Sequence, residues 1–481
     1  MFETGYAQLR FAASLLLGRP FHIPSLQHLV DALVATRCEF GTLTADTPEF
    51  VWGPELDEAT HQELQLRRFR AQARIGARET RYYAAFFTES HLNPGQLTWE
   101  EIFALPLLSK GILQRQLPSL VRRNQNLTVQ TMTTGTAGKH TGMVFSSREF
   151  EVFALLAAIS LVISNTVSEQ DIVQVSTRSR ALLGNSTFMG ACQRLGALVY
   201  QTGIIAPPQA LEMLAQNHAY PAKVPRPSVL MTYPSYLGML LQSAQLQRCS
   251  PDQFGLKRII LGGEIVTAGI RERCRNWFEE AEISEGYGIS ETWPFGANLC
   301  EQGHLHFEPS QGLMEVINPD TGRPAEPGEI GTLVLTPFSP YRESVVLLRY
   351  DTQDLVQVLD HACTCSLQHL PAISHLLGKQ RLSVRHRDGW ICPRQVLEAI
   401  EGIDGLPLPA RCGYWDEGYG VAVEVMVPQV TQALRSQIGD SLEANGVSLC
   451  ALHLVTDAAE LRHPLPWRGD LYEASFSTEE G

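Results

Sequence analysis

The chain of 481 residues carries a formal net charge of −13 at pH 7, and 44% of its residues are hydrophobic while 19% are charged. This length allows a large core and more than one domain, and the composition is ordinary for a globular protein. The negative charge argues against nucleic acid and an anionic membrane as partners, because both bind to basic faces.

The N-terminus contains a short apolar run, FAASLLLG, preceded by Arg10. It is only a weak imitation of a secretory signal, since an acidic residue precedes it and no clear cleavage site follows, so we expect an amphipathic helix. No apolar run approaches the length of a membrane span. Ten scattered cysteines in such a long chain argue against a disulfide framework. We therefore expect a cytoplasmic protein without a membrane partner.

The first part of the chain predicts mainly helices. Residues 1–58 read as a helical N-terminal extension that ends in the proline- and acid-rich stretch TADTPEFVWGPELDE. The stretch HQELQLRRFRAQARIGARETRYYAAFF then predicts one long amphipathic helix.

A threonine- and glycine-rich loop lies within TMTTGTAGKHTGMVFS, residues 131–146. The runs before and after it, LTVQTM and TGMVFS, are typical of strands. The loop does not match the Walker pattern, but small residues followed by Lys139 suit a phosphate, because backbone N–H groups can close around it. Taken alone, the stretch favours an ordinary mobile glycine–threonine hairpin.

Strand and helix patterns alternate from the apolar helix EFEVFALLAAISLVIS to AEISEGYG, which predicts a layered α/β domain over residues 59–377. The stretch LMEVINPDTGRPAEPGEIGTLVLTPF predicts a hairpin. From residue 378 the pattern changes to strand, Asp-Gly turn, strand and helix, and then strand, helix and strand. The fold class predicted is α/β, with a large N-terminal domain and a small mobile α+β C-terminal domain, residues 378–481.

Six stretches in order resemble the adenylate-forming enzymes, and most closely the phenylacetate–CoA ligase branch. They are TMTTGTAGKHTG, YPSYLGML, LGGEIVT, SEGYGISET, LLRYDTQDLV and GKQRLSVRHRDGWICPRQVLEAIE. The resemblance runs from about residue 61 to about residue 455. It implies ATP-dependent activation of a small carboxylic acid, with aromatic acids among the candidates, as its acyl-adenylate, followed by transfer to CoA, a carrier protein or an amine.

The resemblance implies roles for several residues. Tyr287 would lay its ring on adenine, Glu291 would supply an oxygen to Mg²⁺, and Asp354 would accept both ribose hydroxyls. The loop residues that would hold the phosphates of ATP are Thr133, Thr134, Gly135, Thr136, Gly138 and Lys139. The other nucleotide-binding positions are Gly263, Glu264, Glu285 and Lys379. The walls of the acyl pocket would be Tyr233, Tyr236 and Trp293, although large aromatic residues are core residues by default.

The chain departs from this family at the hinge and in the tail. The hinge arginine is Lys379 here, Arg381 replaces an aspartate, and Asp388 stands at a glycine position. The family uses a lysine near the C-terminus during adenylation, but no lysine follows Lys379. The cationic candidates nearby are Arg468 and His463, while Asp470 aligns with the position of the lysine itself, and Arg468 is the cation that we expect in its place.

A further group of residues predicts a metal site. Cys300 is followed by His304 and His306, and Cys363-Thr-Cys365 lies downstream. Three thiols and an imidazole form a closed tetrahedral zinc set, so a structural zinc is expected, although the four residues could also be incidental. The resemblance selects His306 over His304.

Three functions stay open at this point. The first is an AMP-forming acid ligase that uses ATP, Mg²⁺ and a structural Zn²⁺, with CoA as one acceptor. The second is a degenerate relative that binds a nucleotide or acyl-adenylate without making it, as a binding or scaffold subunit. The third is acyl transfer from a preformed thioester or adenylate. The sequence also leaves a homodimer open.

Overall fold

The structure is a computed structural model that describes residues 2–41, 57–132, 141–178, 181–386 and 389–466. Its α-helices are α1 (Phe2–Leu17), α2 (Ile23–Phe40), α3 (Glu58–Glu79), α4 (Arg81–Ser90), α5 (Trp99–Ala104), α6 (Lys110–Leu120), α7 (Ser147–Ile163), α8 (Leu182–Arg194), α9 (Pro207–Ala215), α10 (Pro234–Gln247), α11 (Ala268–Trp277), α12 (Pro393–Glu401) and α13 (Gln432–Ala444). Within the described ranges, no helix is both long and apolar enough to span a membrane.

The strands belong to five sheets. They are β1 (Val129–Met132), β2 (Gly142–Phe145), β3 (Ile172–Ser176), β4 (Leu198–Gln201), β5 (Val229–Thr232), β6 (Arg258–Gly262), β7 (Glu282–Tyr287), β8 (Ala297–Leu299), β9 (His304–Phe307), β10 (Gly312–Ile317), β11 (Ile330–Pro337), β12 (Tyr350–Gln357), β13 (Ala372–Ser374), β14 (Gly378–Lys379), β15 (Val384–His386), β16 (Gly389–Ile391), β17 (Cys412–Asp416), β18 (Val421–Met426) and β19 (Leu449–Val455).

The largest sheet has eight strands in the order β13-β9-β8-β7-β6-β5-β3-β4. Its pairs from β4 to β7 are parallel, whereas β8, β9 and β13 add an antiparallel edge. Strand β3 is buried along its whole length, as expected where helices cover both faces of a parallel sheet. The predicted layered α/β domain is confirmed.

A second sheet has the order β10-β11-β12-β14. Its antiparallel β10–β11 pair is the predicted hairpin. The sheet is joined to the helical layer by Arg349, which is almost fully buried and forms an ion pair of 2.9 Å with Glu315 on β10. The Arg349 guanidinium also donates to the backbone oxygens of Phe103 and Leu105, at 2.7 and 2.5 Å. One cation thus holds α5 against β10 and β12.

The helical region differs from the sequence prediction in one place. The single long helix predicted from residue 61 is wrong, because Thr80 divides it into α3 and α4. Thr80 has extended backbone angles, and its hydroxyl accepts from the N–H of Tyr83 while donating to the carbonyl of Gly76. A threonine that caps a new helix stops the old one, since its side chain satisfies the free donors of the first turn.

The N-terminal extension is helical, as predicted, over residues 2–17 and 23–40. It packs on the large domain, because Leu26 and Val30 of α2 lie in a core cluster with Leu155 and Val162 of α7. The β1–β2 pair is an antiparallel hairpin, and both predicted strands are confirmed. The loop that it carries, residues 133–140, lies outside the described residues.

The C-terminal unit has the predicted elements, namely the hairpin β15–β16, then α12, β18, α13 and β19. Strand β17 was not predicted, and it pairs antiparallel with β18 in a three-stranded sheet. Its five residues include a glycine and lie next to the glycine-rich turn before β18, so the strand pattern is weak.

The small domain docks on the large one where the first turn of α11 meets the last turn of α12. The hydroxyl of Thr267 donates to Glu401 at 2.5 Å, and the N–H of Ala268 donates to Glu398 at 2.8 Å. Two carboxylates thus face the positive end of a helix. Burial raises the pKa of Glu401 to about 7. The backbones touch at Gly269, where an added Cβ would lie 2.1 Å from the carbonyl oxygen of Glu401.

Two further contacts strengthen this docking. Arg273 of α11 donates to the backbone oxygens of Ile403 and Leu406, at 2.5 and 2.7 Å. Leu408 is buried in the core cluster that α10 and α11 form, and its carbonyl carbon is 3.2 Å from the position of a Cβ on Gly238. Leu408 therefore packs with the large domain, whereas Ile403, Leu406 and Ala410 lie in the core cluster of the C-terminal unit, and the division at residue 378 stays a prediction.

We expect Gly269→Ala to destabilise the protein, because its methyl group would meet a backbone carbonyl that cannot move aside. The matched control is Gly184→Ala in α8, where nothing lies within 4 Å of the added Cβ. Alanine there should be neutral or stabilising by up to about 1 kcal/mol, since glycine is the poorer helix former. Urea denaturation of both variants measures the difference. Equal stabilities would contradict the backbone contact.

Candidate active site and cysteine cluster

The candidate active site lies at the carboxyl ends of the parallel strands. Tyr233 directly follows β5, Gly263 directly follows β6, and Tyr287 is the last residue of β7. Adjacent parallel strands end at the same edge of the sheet, which is where ligands bind in open α/β folds. The sequence therefore places three of its candidate residues along one edge.

The central group of this site is the carboxylate of Asp354 on β12. Its Oδ2 accepts a hydrogen bond of 2.8 Å from the hydroxyl of Tyr287, and its Oδ1 lies 2.8 Å from the ammonium of Lys379 on β14. Lys379 also donates to the carbonyl of Thr352 at 3.1 Å. Burial, followed by the neighbouring charge of Asp354, raises the pKa of Tyr287 well above its ordinary value, so this phenol stays a donor.

Both oxygens of Asp354 are thus engaged by protein donors. Only 2% of Asp354 is exposed, whereas about a third of the Lys379 side chain is exposed. A ligand hydroxyl that bonds to this carboxylate has to share it with Lys379 or displace the ammonium into solvent. The sequence predicted Asp354, Tyr287 and Lys379 as site residues but not their mutual contact.

Glu291 lies near this group and is also buried. The hydroxyl of Tyr350 donates to its Oε1 at 3.3 Å, and burial raises the pKa of Tyr350 above its ordinary value. Tyr350 and Asp354 both belong to β12, so this strand carries one acidic side chain of the site and contacts the other, Glu291, through Tyr350. Tyr350 had no predicted role, although it stands inside the stretch LLRYDTQDLV.

Two other predicted carboxylates have partners on helices. Glu264 accepts from the N–H of Ser235 at 2.9 Å and so caps the N-terminus of α10. Glu285 forms a 2.5 Å ion pair with Arg271 of α11, and burial raises the pKa of Glu285. These contacts give both side chains a structural task, and their part in nucleotide binding stays a prediction.

The three aromatic residues predicted for the acyl pocket lie in two separate core clusters. Tyr233 and Tyr236 pack with Leu261, and the hydroxyl of Tyr236 donates to the carbonyl of Ile205 at 2.6 Å. Trp293 packs against the cluster that contains Phe145. The three residues thus belong to two core clusters, and their role in a pocket stays a prediction.

Several predicted residues lie outside the described residues, and the structure gives no account of them. They are the loop residues Thr133, Thr134, Gly135, Thr136, Gly138 and Lys139, together with Asp388 and Arg468.

The second functional cluster joins the four predicted metal ligands. The ligand atoms of Cys300, His306, Cys363 and Cys365 all lie within 4.8 Å of one another, and all four residues are buried. The Sγ atoms of Cys300 and Cys363 are 3.8 Å apart, and Nε2 of His306 is 3.3 Å from Sγ of Cys365. The sulfur atoms of Cys300 and Cys363 are too far apart for a disulfide.

These distances fit a tetrahedral zinc ion. Bond lengths of about 2.3 Å to sulfur and about 2.0 Å to nitrogen separate tetrahedral ligands by roughly 3.5–3.8 Å. Burial, aided by the neighbouring thiols of Cys363 and Cys300, raises the pKa of Cys365 to about 12, so a cation would be needed to keep the Cys365 thiol ionised. The donor set therefore fits zinc.

Groups around the cluster support the same ligand set. The carbonyl of Leu370 lies 3.2 Å from Nδ1 of His306, so a proton on Nδ1 leaves Nε2 free to bind a metal. The N–H of Leu367 donates to the sulfur of Cys365 at 3.1 Å. His304 lies beside Cys363, with Nδ1 3.1 Å from Sγ, and so is a neighbour of the cluster.

Comparison with known proteins gives a family match. A family model described as AMP-binding enzyme matches residues 92–337, which is just over half of the chain. A phenylacetate–coenzyme A ligase of Thermus thermophilus is 27% identical over 370 residues, or 73% of this chain and 78% of the relative. A phenylacetate–coenzyme A ligase of Pseudomonas putida is 23% identical over 418 residues, or 80% and 89% of the two chains.

Solved structures give the same fold. A 2-hydroxyisobutyryl-CoA ligase in complex with R3-HIB-AMP has a TM-score of 0.70 at 17% identity and covers 88% of this chain and 92% of its own. An anthranilate CoA ligase in complex with anthranoyl-AMP has a TM-score of 0.52 at 13% identity, covering 74% of this chain and 68% of its own. At such identities the likeness concerns the fold.

We expect Lys379→Met to lower the free energy of unfolding by about 1–3 kcal/mol, because it leaves a buried carboxylate with one donor fewer. The double variant Asp354→Asn with Lys379→Met should recover part of the loss. Arg385→Ala is the control, since its ion pair with Asp320 is half exposed on both sides and should contribute little. Urea denaturation measures all three. A loss no greater than that of the control would contradict the buried pairing.

Proposed function

We propose that this chain, which belongs to the AMP-binding enzyme family, uses ATP to activate a small carboxylic acid as its acyl-adenylate and then transfers the acyl group to CoA. The observation that carries the proposal is the Tyr287–Asp354–Lys379 group at the carboxyl edge of the parallel sheet. The curated relatives named above are CoA ligases, which favours CoA over a carrier protein or an amine as acceptor.

The reaction has two halves. A carboxylate oxygen of the acid bonds to the α-phosphorus of ATP, the bond to the β-phosphate breaks, and pyrophosphate leaves. The thiol of CoA then loses its proton and attacks the acyl carbon, a C–S bond forms, and AMP leaves with the electrons of the broken C–O bond.

Asp354 is the residue that we assign to the ribose. Its carboxylate offers two acceptor oxygens, which suits a pair of hydroxyl donors. Lys379 holds one of these oxygens at 2.8 Å and is exposed enough to swing away, so ribose binding would release the ammonium of Lys379. The Tyr287 hydroxyl orients the carboxylate, while its ring is partly exposed at the strand end, where adenine would lie.

Glu291 and Lys139 are the residues that we assign to the phosphates. Glu291 supplies a carboxylate oxygen, the ligand type that Mg²⁺ prefers, and Mg²⁺ would offset charge on the phosphate oxygens. Lys139 and the threonines of the same loop would donate to those oxygens; this part of the proposal depends on the sequence. Arg468 is proposed to bridge the carboxylate and the α-phosphate, because no lysine follows Lys379.

A second function is favoured by one specific observation. No lysine follows Lys379, so the residue that the family uses in adenylation is missing from the tail. A chain in this state would bind AMP or an acyl-adenylate and serve as a binding subunit without turning over. Nucleotide binding is common to both functions, so only turnover separates them.

We expect pyrophosphate–ATP exchange in the presence of at least one acid from a panel of aryl and short-chain acids, and CoA thioester formation with the same acid. Asp354→Ala and Lys139→Ala should weaken nucleotide binding roughly 10- to 100-fold, since each removes a charged contact. Arg468→Ala should slow exchange while leaving ATP affinity nearly intact, which marks an interaction made mainly in the transition state.

The control for these variants is Asp320→Ala, which removes an exposed carboxylate far along the chain from the site residues. Tight AMP binding without exchange for any acid would establish the binding subunit instead. Unchanged nucleotide affinity in both Asp354→Ala and Lys139→Ala would reject the assignment of the site.

We also propose that the cysteine cluster binds one structural zinc ion. The four protein ligands fill a tetrahedral set, so the ion would keep no open position for a substrate. It would tie strand β9 to the segment of Cys363 and Cys365, which lies between β12 and β13. Zinc would therefore stabilise the antiparallel edge of the large sheet, next to β7 and Tyr287.

We expect one zinc ion per chain by elemental analysis of the purified protein. Cys365→Ser should lose the metal and lower the melting temperature, because a closed site contributes its binding free energy to folding. Cys38→Ser is the control, as Cys38 is exposed and lies outside the cluster. A protein that stays metal-free when refolded with zinc, or a Cys365→Ser variant as stable as Cys38→Ser, would reject the site.

A further inference from the structure

Helix α1 presents an unusual outward face. We call this face the outer stripe; it consists of five large apolar side chains that are each more than half exposed, namely Phe2, Tyr6, Leu9, Leu16 and Leu17. Phe2 is 96% exposed and Leu9 is 70% exposed. In the rest of the described chain the exposed large apolar residues are scattered, as at Leu127, Leu246 and Tyr419.

The stripe follows the spacing of a helix interface. Residues 2, 6, 9, 13 and 16 alternate steps of four and three, which is the spacing of a seam between two packed helices. The opposite face of α1 is already used, because Ala7 and Ser14 are buried and Phe11 packs on Phe21. α1 is therefore apolar on two sides, with only one side covered by its own chain, which marks a contact surface.

We propose that the outer stripe is the contact surface between two copies of this chain, formed by antiparallel pairing of α1 with α1 of the second copy about a twofold axis near Leu9. A twofold contact needs a surface that complements itself, and three properties of α1 meet this requirement.

The first property is the distribution of side-chain size. Tyr6 lies in the N-terminal half of the stripe, and the small exposed residues Ala12 and Ala13 lie in its C-terminal half, before Leu16 and Leu17. About a twofold axis near Leu9, an antiparallel second copy places Tyr6 against the two alanines and Phe2 against Leu16. Parallel pairing would instead set Phe2 on Phe2 and Tyr6 on Tyr6.

The second property is charge. Exposed Glu3 lies at the N-terminal end of α1, and exposed Arg19 lies just beyond its C-terminal end. Antiparallel pairing brings opposite charges together at both ends and also opposes the two helix dipoles. The surface of a lipid bilayer does not provide this pairing of opposite charges at the two ends of α1. The net charge of −13 also disfavours binding to an anionic bilayer.

The third property is area. Phe2 and Tyr6 together can bury on the order of 300 Å². Adding three leucines and two alanines brings the stripe close to the roughly 800 Å² per partner that a stable interface uses. One helix face is thus large enough to hold a dimer.

The first experiment measures the mass of the full-length protein by sedimentation at several concentrations. We expect a dimer for the wild type and at least a tenfold higher Kd for Leu9→Glu. Leu246→Glu is the matched control, because it makes the same change at an equally exposed helical leucine outside the stripe and should leave the Kd unchanged. Circular dichroism checks that both variants fold.

The second experiment tests the antiparallel orientation. Glu3→Lys and Arg19→Glu should each weaken the dimer severalfold at low salt, and the double variant should restore it. A dimer that is insensitive to Leu9→Glu, or a double variant weaker than both single variants, overturns the proposal. A monomeric wild type also overturns the proposal. Binding of vesicles to the stripe would then identify lipid as its partner, and shielding of a Leu9→Cys thiol by residues 42–56 would show that the same chain covers it.

Discussion

The structure depends at its centre on one buried carboxylate, that of Asp354. A carboxylate with so little access to water is costly unless donors surround it, and two donors come from different parts of the fold. Tyr287 lies at the carboxyl end of β7 in the eight-stranded sheet, and Lys379 lies at the start of the small domain. The requirement to satisfy one charge therefore fixes the relative positions of two sheets and of the chain that leads to the C-terminal unit. A ligand that competes for these oxygens acts on that same junction.

A second buried charge supports this arrangement from behind. Arg349 directly precedes β12, and its pairing with Glu315 and with the carbonyls of α5 holds the beginning of that strand. Tyr350 follows Arg349 and reaches Glu291, and four residues later stands Asp354. Placement of the two acidic side chains is thus a matter of strand geometry. Between Tyr350 and Asp354 the register of β12 against β11 shifts and Gln353 has a positive φ of 58°, so an irregularity of the strand, which can re-aim side chains, sets the direction of Asp354.

The sequence predicted what depends on local patterns and on spacing. The strands beside the threonine–glycine loop, the alternation of strands and helices and the three cysteines of the cluster follow from such signals, whereas His306 was selected by the family resemblance; the structure brings these four ligands together. The sequence could not predict contacts between segments that are distant along the chain. Thr80 divides a continuous amphipathic pattern because its own side chain caps a helix, and a pattern of apolar residues does not register a cap. The pairing of Lys379 with Asp354 and the two contacts of Glu398 and Glu401 with α11 depend on how strands and domains meet, which a single sequence does not encode locally.

The docking of α12 on α11 has a consequence for recombination between relatives. The resemblance to multidomain enzymes makes residue 378 the obvious crossover point for a chimera. In a chimera joined there, Gly269 would come from one parent and the end of α12 that it contacts would come from the other. Leu408 of one parent would likewise pack into the core of the other. A crossover after Ala410 would take both sides of this contact from the same parent, but it would divide the core cluster in which Val396 and Ile400 of α12 pack with Val423 of β18. The segment from residue 378 to residue 410 therefore shares cores with both parts of the chain, and a crossover at either of its ends combines packing surfaces from two parents.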